Sequence, residues 1–276
     1  MKLFNIYRDR VRKLLDNPSA IFYFIKRKAY DQFVADSYVP IYKELHFLSP
    51  EETFHYIIDN DSSIVRLGDG EFGLMRGASV YFNDWRQKFN KDLQRGLLDI
   101  LASTSKKMII CLPGDHLTKT RAELDKIGKG DEFKYWINSK VLLHKYVQKD
   151  RVYGSSFAFY PAVNTGIDYK KLKEYFLGKN VVIITSSLER FKDITLGKNT
   201  HLIEAPKSDG WDKIAEIRAA FHELVKENNY LPKEVLVMVS MGPAAKVFVY
   251  ELAEEGYAAW DAGQFFDLAY KNIQAL

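Results

Sequence analysis

Apolar runs and amphipathic runs alternate along most of the chain. Short stretches rich in Val, Ile and Leu at Ser63–Leu67, Lys107–Leu112, Asn180–Ser186, His201–Ala205, Val235–Ser240 and Tyr257–Trp260 read as strands. Helix-like periodicity fills the gaps at Lys91–Ala102, Asp131–Val147, Tyr169–Phe176, Asp212–Lys226 and Ala244–Glu254. Val181-Val182-Ile183-Ile184 and Val235-Leu236-Val237-Met238-Val239 are apolar at every position, which a parallel sheet covered by helices on both faces requires. Ser49-Pro50-Glu51-Glu52 carries a capping box, and Asn17-Pro18 reads as a helix start. Gly178 and Gly256 follow predicted helices at places suited to a left-handed C′ residue. Tyr81 to Ser103 reads as loop and then helix. The expected fold is α/β, Rossmann-like, with a mainly parallel sheet flanked by helices and an N-terminal helical arm. The arm is expected over residues 1–45 and the body over 46–276, with no internal repeat and no low-complexity linker.

Composition adds bounds. Of 276 residues 47% are hydrophobic and 14% aromatic, enough for a large core and unlike a disordered chain. Cys111 is the one cysteine, so disulfides and thiolate metal clusters are excluded and a reducing, cytoplasmic setting is expected. No apolar run reaches membrane-spanning length, and no signal-peptide pattern is expected. Charge is uneven: residues 1–30 carry a net +6 against +4 for the chain, leaving −2 for residues 31–276. A nucleic-acid surface on the body is therefore not expected. Within the basic segment Leu3, Phe4, Ile6, Tyr7, Val11, Leu14 and Leu15, then Ile21, Phe22, Phe24 and Ile25, mix with the cations. Two readings stand: peripheral contact of residues 1–30 with the inner face of an anionic membrane, or a helical arm packed on the body or on a second subunit as a homodimer.

Candidate chemistry starts at Ile64-Val65-Arg66-Leu67-Gly68-Asp69-Gly70-Glu71-Phe72-Gly73. It reads as a strand breaking into a Gly-rich turn. In extended backbone residues two apart face one side, so Asp69 and Glu71 are placed to share a divalent cation. Gly68, Gly70 and Gly73 also satisfy the dinucleotide fingerprint, but acidic residues inside the turn would repel a bare pyrophosphate. An ordinary solvated Asp-Gly turn is the plain alternative.

In open parallel sheets ligands bind beyond the carboxyl ends of the strands. The residues just past the predicted strands are Gly68–Glu71, Pro113–His116, Thr185–Ser187, Pro206–Gly210, Met241–Pro243 and Asp261–Gly263, mostly small, hydroxyl, acidic or glycine. Ser240-Met241-Gly242-Pro243-Ala244-Ala245-Lys246 passes from strand through a glycine turn into a helix whose free amides suit a phosphate or ribose. Routine capping explains it equally well, and Lys246 faces either solvent or ligand. Lys207 is a candidate diphosphate contact, and Trp211 a platform for a base or sugar. No histidine pair has zinc-ligand spacing, Tyr153-Gly154-Ser155-Ser156-Phe157 is not a nucleophile elbow, and no Walker A sequence occurs.

With those residues in view the chain resembles the GT-D glycosyltransferases, a bacterial family first catalogued as a domain of unknown function. The likeness rests on Arg66–Phe72, Tyr153–Phe157, Met241–Lys246 and Gly256–Gly263, in the family's order across roughly residues 50 to 270. It implies a transferase using a nucleotide-sugar donor, typically a UDP-hexose, with a glycan, lipid-linked or glycoprotein acceptor. It implies a D-x-E motif, here Asp69 and Glu71, serving Mn²⁺ or Mg²⁺. The donor-binding candidates at the strand ends are Arg66, Gly68, Gly70, Ser186, Lys207, Ser240, Gly242 and Pro243. Arg66, inside a strand, also suits a structural ion pair. Asp261 is the first choice for a base at the acceptor and Asp209 the second. Two departures bear on the acceptor side: Phe159-Tyr160 stands where members often have arginine, and Gln264 where they often have histidine. A metal-dependent nucleotide-sugar hydrolase and a non-catalytic scaffold of a polysaccharide assembly remain the alternatives.

Overall fold

The computed structural model describes residues 11–82, 85–160, 166–263 and 265–268. Gln264 and residues 1–10 of the basic segment lie outside the described residues. The strands are β1 (His46–Phe47), β2 (Ser63–Arg66), β3 (Val80–Phe82), β4 (Trp85–Gln87), β5 (Met108–Leu112), β6 (Val152–Ser155), β7 (Asn180–Thr185), β8 (Asn199–Glu204), β9 (Val235–Ser240) and β10 (Ala258–Asp261). The helices that matter below are α1 (Pro50–Asp59), α2 (Asp69–Met75), α3 (Lys91–Ala102), α4 (Phe133–Leu143), α5 (Tyr169–Leu177), α6 (Ile214–Glu227) and α7 (Pro243–Glu254). Two compact units divide the chain. One holds the chain up to Phe47 with Leu67–Ser103 and Leu112–Tyr153; the other holds Leu48–Arg66, Thr104–Cys111 and the chain from Gly154 onward.

The second unit is built on parallel strands in the order β5-β2-β10-β9-β7-β8. Every residue of β5, β7 and β10 is buried, as is β9 up to Val239, which confirms the reading of continuous apolar runs as strands covered on both faces. The expected α/β class holds. Its core centres on Trp260, fully buried, stacked on Tyr175 at 5.4 Å and packed against Phe159, Phe176 and Phe265. The Trp260 indole N–H donates to the Ser62 carbonyl at 3.2 Å, so the ring is buried without an orphaned donor. Helix α1 begins at the predicted capping box, where Ser49 and Glu52 each satisfy the other's backbone amide.

Gly154, in the second half of β6, lies close to β5. A Cβ there would stand 2.5 Å from Cys111 Sγ and 2.8 Å from Thr53 Cγ2. Gly154→Ala should therefore cost about 1–3 kcal/mol by overpacking, read as a lower urea midpoint at unchanged m-value.

The first unit joins β1 and β6 in parallel, His46 beside Val152, and carries the antiparallel hairpin β3–β4. The hairpin and the short strands β1 and β6 were not expected; two to four residues show too little alternation to read. The long helix expected over Asp131–Val147 is a 3₁₀ turn followed by α4. Gly178 corrects another expectation: it caps α5 with φ −78°, right-handed, whereas Gly256 does take the left-handed form at φ 95°. From residue 11 to Lys43 the chain is helical apart from one turn and bend near Asn17–Ser19. This segment buries Tyr42 and Ala35, and Asn138 on α4 donates to the Tyr23 hydroxyl at 2.9 Å. Among the described residues no helix is long and apolar enough to cross a membrane.

Candidate functional site

Because β2, β10, β9, β7 and β8 run parallel, their carboxyl ends share one edge of the sheet in the second unit. Arg66, Asp261, Ser240, Ser186 and Lys207 all fall at or just beyond that edge, as the sequence placed them. Ser186 and Lys207 are exposed there.

The turn after β9 is the most constrained element. Gly242 has φ 64° and ψ −145°, a region closed to L side chains, and Pro243 then opens the twelve-residue α7. Ser240 donates to the Gly263 carbonyl at 3.3 Å, tying this turn to the one after β10. Gly210, past β8, approaches the Met241 carbonyl so closely that a Cβ would stand 3.1 Å from it. Before it, Asp209 takes φ 55°, a left-handed position that Asp tolerates better than most residues. Trp211 is half-buried in the following 3₁₀ turn.

Asp261 is 1% exposed, and its carboxylate is shared. Lys246 Nζ approaches Oδ1 at 3.2 Å and Oδ2 at 3.1 Å, while the Arg66 amide donates to Oδ2 at 3.3 Å. The Arg66 guanidinium donates from Nε to the Asp261 carbonyl at 3.0 Å, with Nε 3.7 Å from Oδ2, and lies over the Phe159 ring at 5.2 Å. Gly263 makes room for it: with φ 41°, a Cβ would stand 2.2 Å from Arg66 Nη2. Lys246 therefore faces a buried carboxylate, and Arg66 makes the structural ion pair that its strand position allowed. Phe159 was read only as a departure from the family pattern. Its role under Arg66 joins residues 93 positions apart, and no local signal announces it.

Asp69 and Glu71 belong to the first unit. Their expected backbone is corrected: residues 69–75 form α2, not an extended turn. Gly68 is its extended N-cap (φ −109°, ψ −176°), and the Gly68 amide donates to Glu71 Oε2 at 2.9 Å, the acidic half of a capping box. Two acids in a first turn also suit the helix dipole. On a helix residues two apart diverge by about 200°, so strand-like sharing of one face does not apply. Glu71 instead folds back over the N-cap, where it is buried. Asp69 is exposed, yet its carboxyl is pushed above the usual range, first by desolvation from surrounding protein and next by the Glu71 charge; its own amide and that of Gly70 oppose this.

That repulsion is what a cation relieves, and two carboxylates are hard oxygen donors suited to Mg²⁺ or Mn²⁺. On this helix Asp69 alone presents an exposed carboxylate to such an ion, because Glu71 is buried and turned back onto the Gly68 amide. Among the described residues no group of three or more His, Cys, Asp or Glu is placed to hold a metal.

The family model described as glycosyltransferase GT-D fold matches residues 64–273. The chain is 25% identical over 246 residues to the probable glycosyl transferase Gly of Streptococcus gordonii, covering 85% of this chain and 34% of that protein. It is 25% identical over 224 residues to glycosyltransferase GlyD of Streptococcus pneumoniae serotype 4, covering 77% of this chain and 26% of that protein. The chain thus spans about a third and about a quarter of these relatives. Among solved structures it is similar to a new glycosyltransferase from Streptococcus sanguinis, with TM-score 0.61 and 27% identity over 84% of this chain and 85% of that one. A highly conserved domain of unknown function, 1792, with a distinct glycosyltransferase fold, superposes with TM-score 0.67 and 24% identity over 87% and 86% of the two chains. The matched segment begins in β2 and runs past β10, taking in both carboxylates of α2 and the whole Arg66–Lys246–Asp261 cluster; the chain belongs to the GT-D glycosyltransferase-fold family.

Proposed function

We propose that the protein transfers a hexose from a nucleotide-sugar donor, a uridine diphosphate sugar, to a hydroxyl of a glycan, lipid-linked or glycoprotein acceptor in the cytoplasm. The observation that carries this reading is the family match through residues 64–273, which contains the D-x-E pair and the turns after β9 and β10. In the transfer, the bond from the anomeric carbon to the diphosphate oxygen breaks and a bond from the acceptor oxygen forms. The acceptor proton passes to a base.

A bound Mn²⁺ or Mg²⁺ would neutralise charge developing on the leaving diphosphate. Asp69 is the exposed carboxylate that would hold it, and Glu71 contributes charge while locking the first turn of α2 through Gly68. At the edge of the other unit, the amides opening α7 behind Gly242 and Pro243, with Ser240, Ser186 and Lys207, suit phosphate and ribose oxygens. Asp261 fits positioning better than base chemistry: it is 1% exposed and its oxygens already accept from Lys246 and the Arg66 amide. Asp209, the second choice from the sequence, takes the role of base in this reading, because it is only half-buried and sits at the same strand edge.

A thermal-shift panel of nucleoside diphosphates and nucleotide sugars, with and without Mn²⁺, tests the reading. Ligand at about 100 times its Kd should add about 2.7 kcal/mol, a Tm rise of roughly 5 °C, for uridine compounds with metal. No response to any nucleoside diphosphate would refute it. Donor turnover that ignores added acceptor would assign a hydrolase instead.

A further inference from the structure

The N-terminal helical segment is apolar on its outer face as well as its inner one. Its inner face is accounted for within the first unit: Ala20, Tyr23, Asp31 and Ala35 are buried. Arg76, at the end of α2, pairs with Asp31 and lies over the Tyr23 ring at 5.2 Å, and Arg27 donates to the Lys134 carbonyl. These contacts fix which side faces out. On that outer side Phe22 is 74% exposed, Ile25 57% and Phe33 73%, and Leu15, on the helical turn before the break at 17–19, is 77% exposed. Seven of the twelve large apolar side chains exposed among the described residues fall between Val11 and Phe33. A helix apolar on both sides is not a stable surface element in water and needs a cover.

Charge identifies the cover. Exposed Lys26 and Lys28 stand between Phe22 and Phe33, and Arg12 is exposed one residue after Val11. Asp16 and Asp31 are the acids of residues 11–33; Asp31 is buried against Arg76, and Asp16 accepts from the Tyr81 hydroxyl. The outer face is therefore cationic. A protein partner seated on the rings would enclose Lys26 and Lys28, and lysine is depleted in interface cores. At a bilayer surface the same mixture works: aromatic and aliphatic side chains pass below the headgroups, and lysine stems run along them to reach lipid phosphates. The rest of the chain carries a net −2, so an anionic surface attracts this segment and not the body.

We infer that the outer face of residues 11–33 docks the protein on an anionic lipid bilayer, with Leu15, Phe22, Ile25 and Phe33 inserted and Lys26 and Lys28 on the phosphates. The test is co-sedimentation of the full chain with phosphatidylcholine vesicles and with vesicles also holding ~30% phosphatidylglycerol. Binding is expected to the anionic vesicles alone, and to fall in 1 M salt, where the Debye length is about 3 Å. Each basic residue at the surface contributes about fivefold in partitioning, so K26E/K28E should weaken binding at least about 25-fold. F22S/F33S should weaken it at least about tenfold. All four sites are exposed, so both variants should keep the wild-type thermal midpoint. The two pairs act through different forces, so misfolding of one variant leaves the other as the test. Absence of binding, equal binding to neutral vesicles, or binding that survives the folded variants overturns the proposal. So does a dimer in sedimentation velocity that F22S/F33S dissociates, which would give the face to a second copy of the chain.

Discussion

Asp69→Asn is expected to lower sugar transfer by about 10²–10³-fold while the protein stays folded, the size of effect seen when one preorganised electrostatic group aimed at developing charge is lost. Asp69 is exposed at the first helical position of α2, so its replacement removes no core contact. Its carboxyl is already pushed up by desolvation and then by the Glu71 charge, and a neutral amide escapes both penalties, so the denaturation midpoint should be unchanged or slightly higher. Glu71 should behave differently. Glu71→Gln keeps an oxygen for the Gly68 amide and preserves the turn, whereas Glu71→Ala exposes a cap and should cost about 1 kcal/mol. Steady-state kinetics at graded Mn²⁺ separates the roles: loss of Asp69 should raise the metal concentration needed for half-maximal rate. Wild-type kcat/KM in Asp69→Asn would remove this residue from the mechanism.

The second large effect concerns stability. Asp261→Asn should destabilise the fold by about 3–5 kcal/mol in urea denaturation, because it leaves Lys246 and Arg66 facing a neutral side chain in a buried site. The side chains of Lys246 and Arg66 are each only 10% exposed, so water does little to replace the lost charge. Adding Lys246→Met to Asp261→Asn removes one of the stranded cations and should recover part of the loss. The double-mutant cycle then reads the coupling directly. A cost below about 1 kcal/mol for the single variant would mean that Asp261 does not anchor the two cations.

These predictions draw on the sequence unequally. The apolar runs of β5, β7 and β9 were legible because a strand buried on both faces must be apolar throughout, a local and unambiguous pattern. Once strands are assigned and taken as parallel, the residues at their carboxyl ends share an edge, so Arg66, Ser186, Ser240 and Asp261 could be grouped without coordinates. The conformation of residues 68–71 was less legible. Two glycines next to two acids describe a tight turn and the first turn of a helix equally well. Packing of Phe72, Leu74 and Met75 into the interior decided for the helix. Gly178 shows the same limit: glycine permits the left-handed state and does not compel it.

By itself, then, the sequence determined the α/β class, the six parallel strands β2, β5, β7, β8, β9 and β10, and the residue types gathered where those strands end. It could do so because periodicity and turn chemistry act over a few neighbouring residues. Tertiary structure alone decided that Asp261 is a buried anchor, that Lys246 turns inward to meet it, that Arg66 lies on Phe159, and that Glu71 folds back onto Gly68. The first three unite residues 15 to 195 positions apart, where only the meeting of β2, β10 and α7 brings charge to charge. The last depends on whether a local pattern is stabilised by burial, and burial is a property of the packed chain.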